Sequence, residues 1–422
     1  MDARRTTAGT ATSTAGLYHG WLIVAVAFLV ALFGFGLGFY GPGIYLVALR
    51  ARFGWSAADI AGAITVYYVL GATLLFFFVG RSFERHGVRR VVTAGALAMA
   101  AGLVALPLAT ELWHVHAAFA VMSIGWATMS GAAINIIVAP WFDRRRGLVV
   151  SLAANGGSAG GVVMAPLLVF LIDRLGFATA LPLAGALMLA VLLPLLAFVA
   201  REKRPGECDR DDSPVAAGVA PSANQATPPW NTRKVLRDRK FITISIPFAL
   251  GLIAQVGFIT HQVAFLTPMT GTVTAGWIVS LTTLAAIVGR LAAGLFIDRV
   301  DRRVASCLNF LPQVAAMAIL MATTSPALLV TGCVLVGLGL GNMTSFPALI
   351  VQQEFPARHF ARVVSMVVAI NQFAFAFGPA LLGRLQQPDG AYTHALFACL
   401  VMQVLGAFIV LAPVIARIKS ES

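Results

Sequence analysis

Charge is what this sequence has least of. Only 11% of its 422 residues are Asp, Glu, Lys or Arg, whereas an ordinary soluble domain carries about a quarter. With 59% hydrophobic residues and a mean hydropathy of +0.85, the chain has too little polar surface to face water on all sides. A soluble enzyme is thereby excluded, and a polytopic membrane protein is the class that remains. Cysteine is equally sparse: Cys208, Cys307, Cys333 and Cys399 include no Cys-x-x-Cys pair, so neither a zinc site nor a disulfide framework is expected. No clustered His, Asp and Glu and no nucleophile with its base stand out, so no metal, cofactor or catalysis is expected. The first twenty residues hold Arg4 and Arg5 but no apolar core ending in a cleavage site, so the N-terminus is expected to be retained.

What is abundant is apolar sequence of helical length. Such stretches run over 21–49, 57–80, 91–110, 114–140, 147–172 and 176–200, then over 241–268, 274–297, 304–323, 326–351, 363–385 and 391–416. Each is long enough to cross a bilayer core of about 30 Å at about 1.5 Å per residue. The expected fold class is therefore all-α: an integral membrane protein of twelve transmembrane helices in two pseudo-symmetric six-helix bundles. The bundles cover 21–200 and 241–416, with tails at 1–20 and 417–422. Between them, 201–240 combines Glu202, Lys203, Arg204 and the run 209–212 with a Pro/Ala/Ser-rich piece and basic 233–240. Such a stretch reads as a flexible linker.

A net charge of +13 could signal nucleic-acid binding, so its placement matters. Of 30 Lys and Arg, 25 fall in the tails and in loops that follow even-numbered spans, four in the alternate loops, and one, Arg290, inside a span. Under the positive-inside rule this bias puts both termini in the cytoplasm. The charge is then a topology signal: the lipid bilayer is the expected partner, nucleic acid is not, and a plasma membrane, bacterial inner membrane included, is the expected location.

The two halves echo each other. Gly80-Arg81-Ser82-Phe83-Glu84-Arg85 returns 214 residues later as Gly294-Leu295-Phe296-Ile297-Asp298-Arg299, and Val149-Val150-Ser151 returns at the same offset as Val363-Val364-Ser365. Two loops that share one offset indicate a duplicated six-helix unit. The pattern Gly-x-x-x-Asp/Glu-Arg-x-Gly-x-Arg-Arg after the second span, partly repeated after the eighth, resembles the signature loop of the major facilitator superfamily. Glu84 stands where Asp is usual, and Asp301 where Gly is usual in the second copy. The resemblance implies a charge latch across the seam between halves, with Glu84 and Asp298 as acids and Arg85, Arg89, Arg90, Arg299, Arg302 and Arg303 as bases. Phe53-Gly54-Trp55-Ser56, Arg146-Gly147-Leu148 and the Gly-rich Asn155–Gly161 stretch look similar to the monocarboxylate-transporter and oxalate/formate-antiporter branches. Gly-rich packing between helices also explains the last of these, and Ser56-x-x-Asp59 reads as a capping box.

Arg290 is the sharpest residue. It stands sixteen residues into its span, near the midplane, where a cation costs about 2.5–3.5 kcal/mol and must face a watered cavity. Thr283 and Ala286 share its helix face, and no acidic residue lies deep in any expected span. The missing partner is then an anionic substrate, whose carboxylate a guanidinium holds with two parallel hydrogen bonds. The monocarboxylate branch often carries an Asp one turn before this Arg; here Ala286 stands there, which puts its proton-symport cycle in doubt. His261, in the seventh span, either carries a coupled proton or is a neutral imidazole bonded between helices. Tyr40-Gly41-Pro42-Gly43 is expected to interrupt the first helix, with Tyr40 standing where eukaryotic monocarboxylate transporters place a lysine. Asn155, Asn371 and Gln372 could donate to a carboxylate, and Tyr67, Tyr68 and Trp126 could line the path.

The expected function is secondary transport of a small organic anion, a monocarboxylate by resemblance, through alternating exposure of a midplane site in a monomer, with protons as a candidate coupling ion. Two alternatives stand beside it: a proton-coupled exporter of drugs or other solutes, and a non-transporting sensor on a transporter scaffold.

Overall fold

The computed structural model describes residues 19–142, 146–200, 232–297, 299–356 and 359–421. The N-terminal tail up to residue 18, most of the expected linker, Arg144, Arg145, Asp298 and Arg358 lie outside the described residues. What is described is helical nearly throughout, with no strand among it.

Among the described residues, ten helical stretches are long and apolar enough to cross a membrane. One of them, Ala57–Leu108, has 52 residues, about 78 Å at 1.5 Å per residue and over twice a bilayer core. It breaks at Gly87, whose φ of 74° and ψ of 165° leave the helical region, a conformation that glycine alone adopts freely. The elements are α1 (His19–Phe53), α2 (Ala57–Leu74, continued by a π turn over Leu75–Val79), α3 (Gly80–Ala105, with the Gly87 break near its start), α4 (Leu112–Val138), α5 (Arg146–Leu175) and α6 (Phe177–Phe198). After the linker come α7 (Arg239–Thr270), α8 (Thr272–Phe296), α9 (Arg302–Ala322), α10 (Pro326–Leu340), α11 (Arg362–Leu385) and α12 (Thr393–Glu421). With only 15 residues, α10 falls short of a full crossing and resumes after a turn as the helix Phe346–Glu354. Among the described residues the apolar crossings thus number ten by length and eleven when α2 and α3 are separated, with the short α10 occupying the tenth expected span.

The interruption expected at Tyr40-Gly41-Pro42-Gly43 takes another form. The helix does not break there but widens into a π turn over Gly36–Tyr40 and runs on through Pro42 to Phe53. Pro42 has no N–H to give the Gly38 carbonyl four residues back. The tyrosines of α2 supply it instead: Tyr67 donates to that carbonyl at 2.9 Å and Tyr68 at 3.3 Å, while Tyr45 donates to Leu37 at 3.1 Å. These three hydroxyls satisfy carbonyls that would otherwise be orphaned at membrane depth. At the start of α2 the expected cap is present, with the Asp59 amide donating to Ser56 Oγ at 3.1 Å.

Helices before the linker pack α1 on α5, α4 on α2 and α3, and α6 on α3; those after it pack α12 on α7 and α9, α10 on α8 and α9, and α11 on α7. The two sets meet where α5 lies on α8, α2 on α11 and α1 on α7. Glycine permits the tightest of these approaches. A Cβ at Gly156 would fall 2.0 Å from the Phe28 carbonyl oxygen, and one at Gly160 2.3 Å from that of Leu32. Hydrogen bonds cross the seam from Ser280 to the Val162 carbonyl at 3.0 Å, from the Ala380 amide to Thr65 at 3.1 Å, and from Arg290 to Asn155 at 3.0 Å. The first two lie toward the chain-turn end that holds residues 54–56, 271 and 386–392. Arg290 lies ten residues beyond Ser280 along α8, about 15 Å further toward the arginine-rich loops.

Candidate functional site

Arg290 of α8 projects into the α5–α8 seam and is only partly buried. Its Nη1 donates to Asn155 Oδ1 on α5 at 3.0 Å, and its Nε to the Gly341 carbonyl at 3.4 Å. That carbonyl exists as an acceptor because α10 stops there. Residues 341–345 form turns, and the last carbonyls of a helix have no partner within it. The turn is pinned by Asn342, whose Nδ2 donates to Asn309 Oδ1 at 2.9 Å and to the Gly289 carbonyl at 3.3 Å. Asn309 Nδ2 in turn donates to the Gly339 carbonyl at 3.2 Å. A helix C-terminus is a favourable neighbour for a cation, so the guanidinium rests on neutral groups. No acid is paired with it among the described residues.

Tyr40 and Thr283 stand one layer further in. A Cβ at Gly161 would meet Thr283 at 2.6 Å and the Tyr40 ring at 2.7 Å, so this glycine is where α1, α5 and α8 converge. Tyr40 lies within the field of the Arg290 charge. Next to it, aromatic rings are continuous: Tyr40 meets Phe39 edge-on at 5.1 Å, Phe39 stacks on Trp126 at 6.0 Å, and Phe35 meets Trp126 at 5.2 Å. Tyr68 extends the cluster across the seam, touching Trp126 at 5.8 Å and Phe375 of α11 at 5.5 Å. One turn from Phe375, Asn371 is buried, and its side-chain oxygen has no hydrogen-bond partner among the described residues. Gln372 is partly exposed beside it.

The structure brings together Arg290, Asn155, Tyr40 and Thr283, and treats two other expected site residues differently. Tyr67 is fully buried with its hydroxyl committed to Gly38, so it supports the wall rather than facing the seam. His261 is held between helices. The Pro379 carbonyl can only accept, so Nε2 carries a proton and donates to it at 3.0 Å, and Nδ1 shares a hydrogen bond of 3.0 Å with the Tyr392 hydroxyl. Burial pushes the Tyr392 hydroxyl up to about 12, which keeps it protonated. Both ring nitrogens are thus bonded, and the imidazole ties α7 to α11 and to the residue before α12.

The expected charge latch divides as well. Glu84, Arg85, Arg89, Arg90 and Arg299 are exposed, and no ion pair to them occurs among the described residues. Asp298 lies outside the described residues. The last two arginines of the second copy serve their own set of helices instead of the seam. Arg303 pairs with Glu354 through Nε–Oε1 at 2.5 Å and Nη2–Oε2 at 2.8 Å, and donates to the Val410 carbonyl at 3.1 Å. Arg302 donates to the Leu349 carbonyl and to Gln352. Three features escape the sequence reading: the α10 turn, the Asn309–Asn342 pair, and the Phe35–Phe39–Phe375 surface. The first had a signal in Gly337, Gly339, Gly341 and Asn342 crowded into one apolar span.

Two sets of apolar helices meeting along a seam into which an intramembrane arginine projects form the architecture of a membrane transporter. The chain matches the Major Facilitator Superfamily over residues 26–379 and again over 263–419, and it belongs to that superfamily. It is 25% identical to monocarboxylate transporter 13 of Bos taurus over 405 residues, covering 92% of this chain and 87% of that one. It is also 25% identical to the agnestins efflux protein AgnL12 of Paecilomyces divaricatus over 375 residues, covering 85% and 78%. A solved structure of a bacterial homologue of the human lysosomal transporter Spinster, inward-facing and unoccupied, has a similar fold. Its TM-score is 0.68 at 16% identity, over 95% of this chain and 97% of that one.

Proposed function

We propose that this chain transports small organic anions, with monocarboxylates as the class, by alternating exposure of a site centred on Arg290. The observation that carries the reading is the position of this arginine. It joins α8 to α5 through Asn155, and its other partner is a backbone carbonyl. A carboxylate taking the guanidinium fork replaces those neutral partners with a charge-assisted pair. Coupling follows from electrostatics. Closing the empty site away from water strands a cation, at a cost of several kcal/mol, whereas closing it around an anion buries a neutral pair. Substrate thus lowers the barrier to exchange between the two exposures. The Ser280–Val162 and Ala380–Thr65 bonds close the seam at the end opposite the arginine-rich loops, which supports a state open toward those loops, the cytoplasmic side under the positive-inside rule. The exposed Glu84 and Arg85 then form their latch in the opposite state. The kinship with monocarboxylate transporters supports the substrate class, and the kinship with an efflux protein favours export of an organic anion as the second reading.

The test is uptake and counterflow of labelled monocarboxylates in proteoliposomes by wild type and Arg290→Ala. Saturable transport that disappears in the variant is expected. Equal saturable uptake by both would sink the role of Arg290, and stabilisation by lipophilic cations with none by anions would favour a drug exporter.

A further inference from the structure

The same site has a second wall whose chemistry bears on which anion fits. Phe35 and Phe39 of α1 remain partly exposed, although their neighbours belong to the interior of the bundle. Phe35 lies against Trp126 and the backbone of Gly157 on α5, and Phe39 between Trp126, Tyr68 and Tyr40. Hemmed in by α2, α4 and α5, their uncovered surface faces the seam rather than lipid. The backbone makes room for this wall. A Cβ at Gly38 would fall 3.1 Å from the Trp126 indole, and one at Gly71 would fall 2.6 Å from it. Tyr40 connects the wall to the cation, in ring contact with Phe39 and inside the field of Arg290. Phe375 brings the aromatic surface onto α11 in the second set of helices. A two- or three-carbon acid held by Arg290 leaves this surface wet. A ring stacked on Phe39 or Phe35 buries apolar area and adopts the offset or edge-on packing that aromatic pairs prefer.

We infer that the site takes aryl-bearing monocarboxylates, the acid on Arg290 and the ring on Phe39, Phe35 and Trp126, in preference to short aliphatic acids; this rests on the anion-transport reading above. Binding of 3-phenylpropionate, L-lactate and the uncharged 3-phenylpropanamide to the purified full chain, measured by calorimetry, tests it. Phenylpropionate is expected to bind at least tenfold more tightly than lactate. In Phe39→Leu, which keeps apolar volume but removes the ring, that ratio is expected to fall below threefold through loss of phenylpropionate affinity; Arg290→Gln is expected to lose both acids. Thermal unfolding of each variant shows that it is folded. Equal affinity for the two acids, or a ratio untouched by Phe39→Leu in a folded protein, overturns the aryl preference and leaves organic-anion transport standing. Failure of both acids to bind, or amide binding equal to the acid, overturns both readings.

Discussion

Arg303 is buried and Arg290 partly buried, and the two are satisfied in opposite ways. Arg303 has its own acid: a two-pronged pair with Glu354, backed by the carbonyls of Thr243 and Val410, ties α9, α7, α12 and the helix Phe346–Glu354 together. Arg290 rests on one amide oxygen from across the seam and one carbonyl at the end of α10. A buried cation with a permanent counterion is architecture, since its charge is cancelled in every state of the protein. One held by neutral groups has unspent electrostatic energy, which an anion can claim and give up again.

The contrast can be broken most severely at Glu354. Glu354→Ala strands Arg303 and should destabilise the fold by about 3–5 kcal/mol, read as a large fall in apparent Tm and in monodisperse yield; an unchanged Tm would mean the pair is dispensable. Arg290→Ala should do the reverse, leaving the ligand-free Tm undiminished while transport falls about a hundredfold, the equivalent of two hydrogen bonds to charge at about 1.5 kcal/mol each. A loss of stability matching that of Glu354→Ala would erase the distinction. Gly161→Val pushes a side chain into Thr283 and Tyr40, where even a Cβ has no room. With overpacking costs of about 1–3 kcal/mol, a folded protein with about tenfold slower transport is expected in proteoliposome flux assays. His261→Gln should cost about 1–2 kcal/mol of stability and change flux less than threefold, with the flux ratio to wild type constant from pH 6 to 8. A lost pH dependence would return His261 to a proton-carrying role. The smallest effect belongs to exposed Glu84: Glu84→Gln should stay within about 0.5 kcal/mol in stability. A slower turnover at unchanged Tm is what a latch formed in the opposite state predicts.

Much of this was legible in the linear order of residues. Apolar runs of membrane length, the basic loops and the 214-residue echo sufficed for an all-helical membrane protein of the superfamily, and scarcity of charge made Arg290 conspicuous. Asn155 and Thr283 were also within reach, because polar side chains in apolar spans are few. His261 drew attention for the same reason, yet its partners, Pro379 and Tyr392, lie more than a hundred residues away. Nothing local shows whether a buried imidazole is already satisfied. Arg302 and Arg303 resembled a seam latch because a repeat copies sequence without copying contacts. In the second copy a nearby acid, Glu354, was available to take the charge.

Composition and periodicity determine what depends on solvent. A bilayer accepts apolar helices whose backbone bonds close within each helix, so hydropathy alone decides class, span lengths and the distribution of basic residues. Which polar groups stay unpaired depends on helices far apart in the chain and therefore emerges only on packing. The π turn that Pro42 leaves for Tyr67 and Tyr68, the end of α10 under Arg290, and the ring wall from Phe35 to Phe375 are all of this kind. Each is a meeting of surfaces whose positions along the chain carry no record of one another.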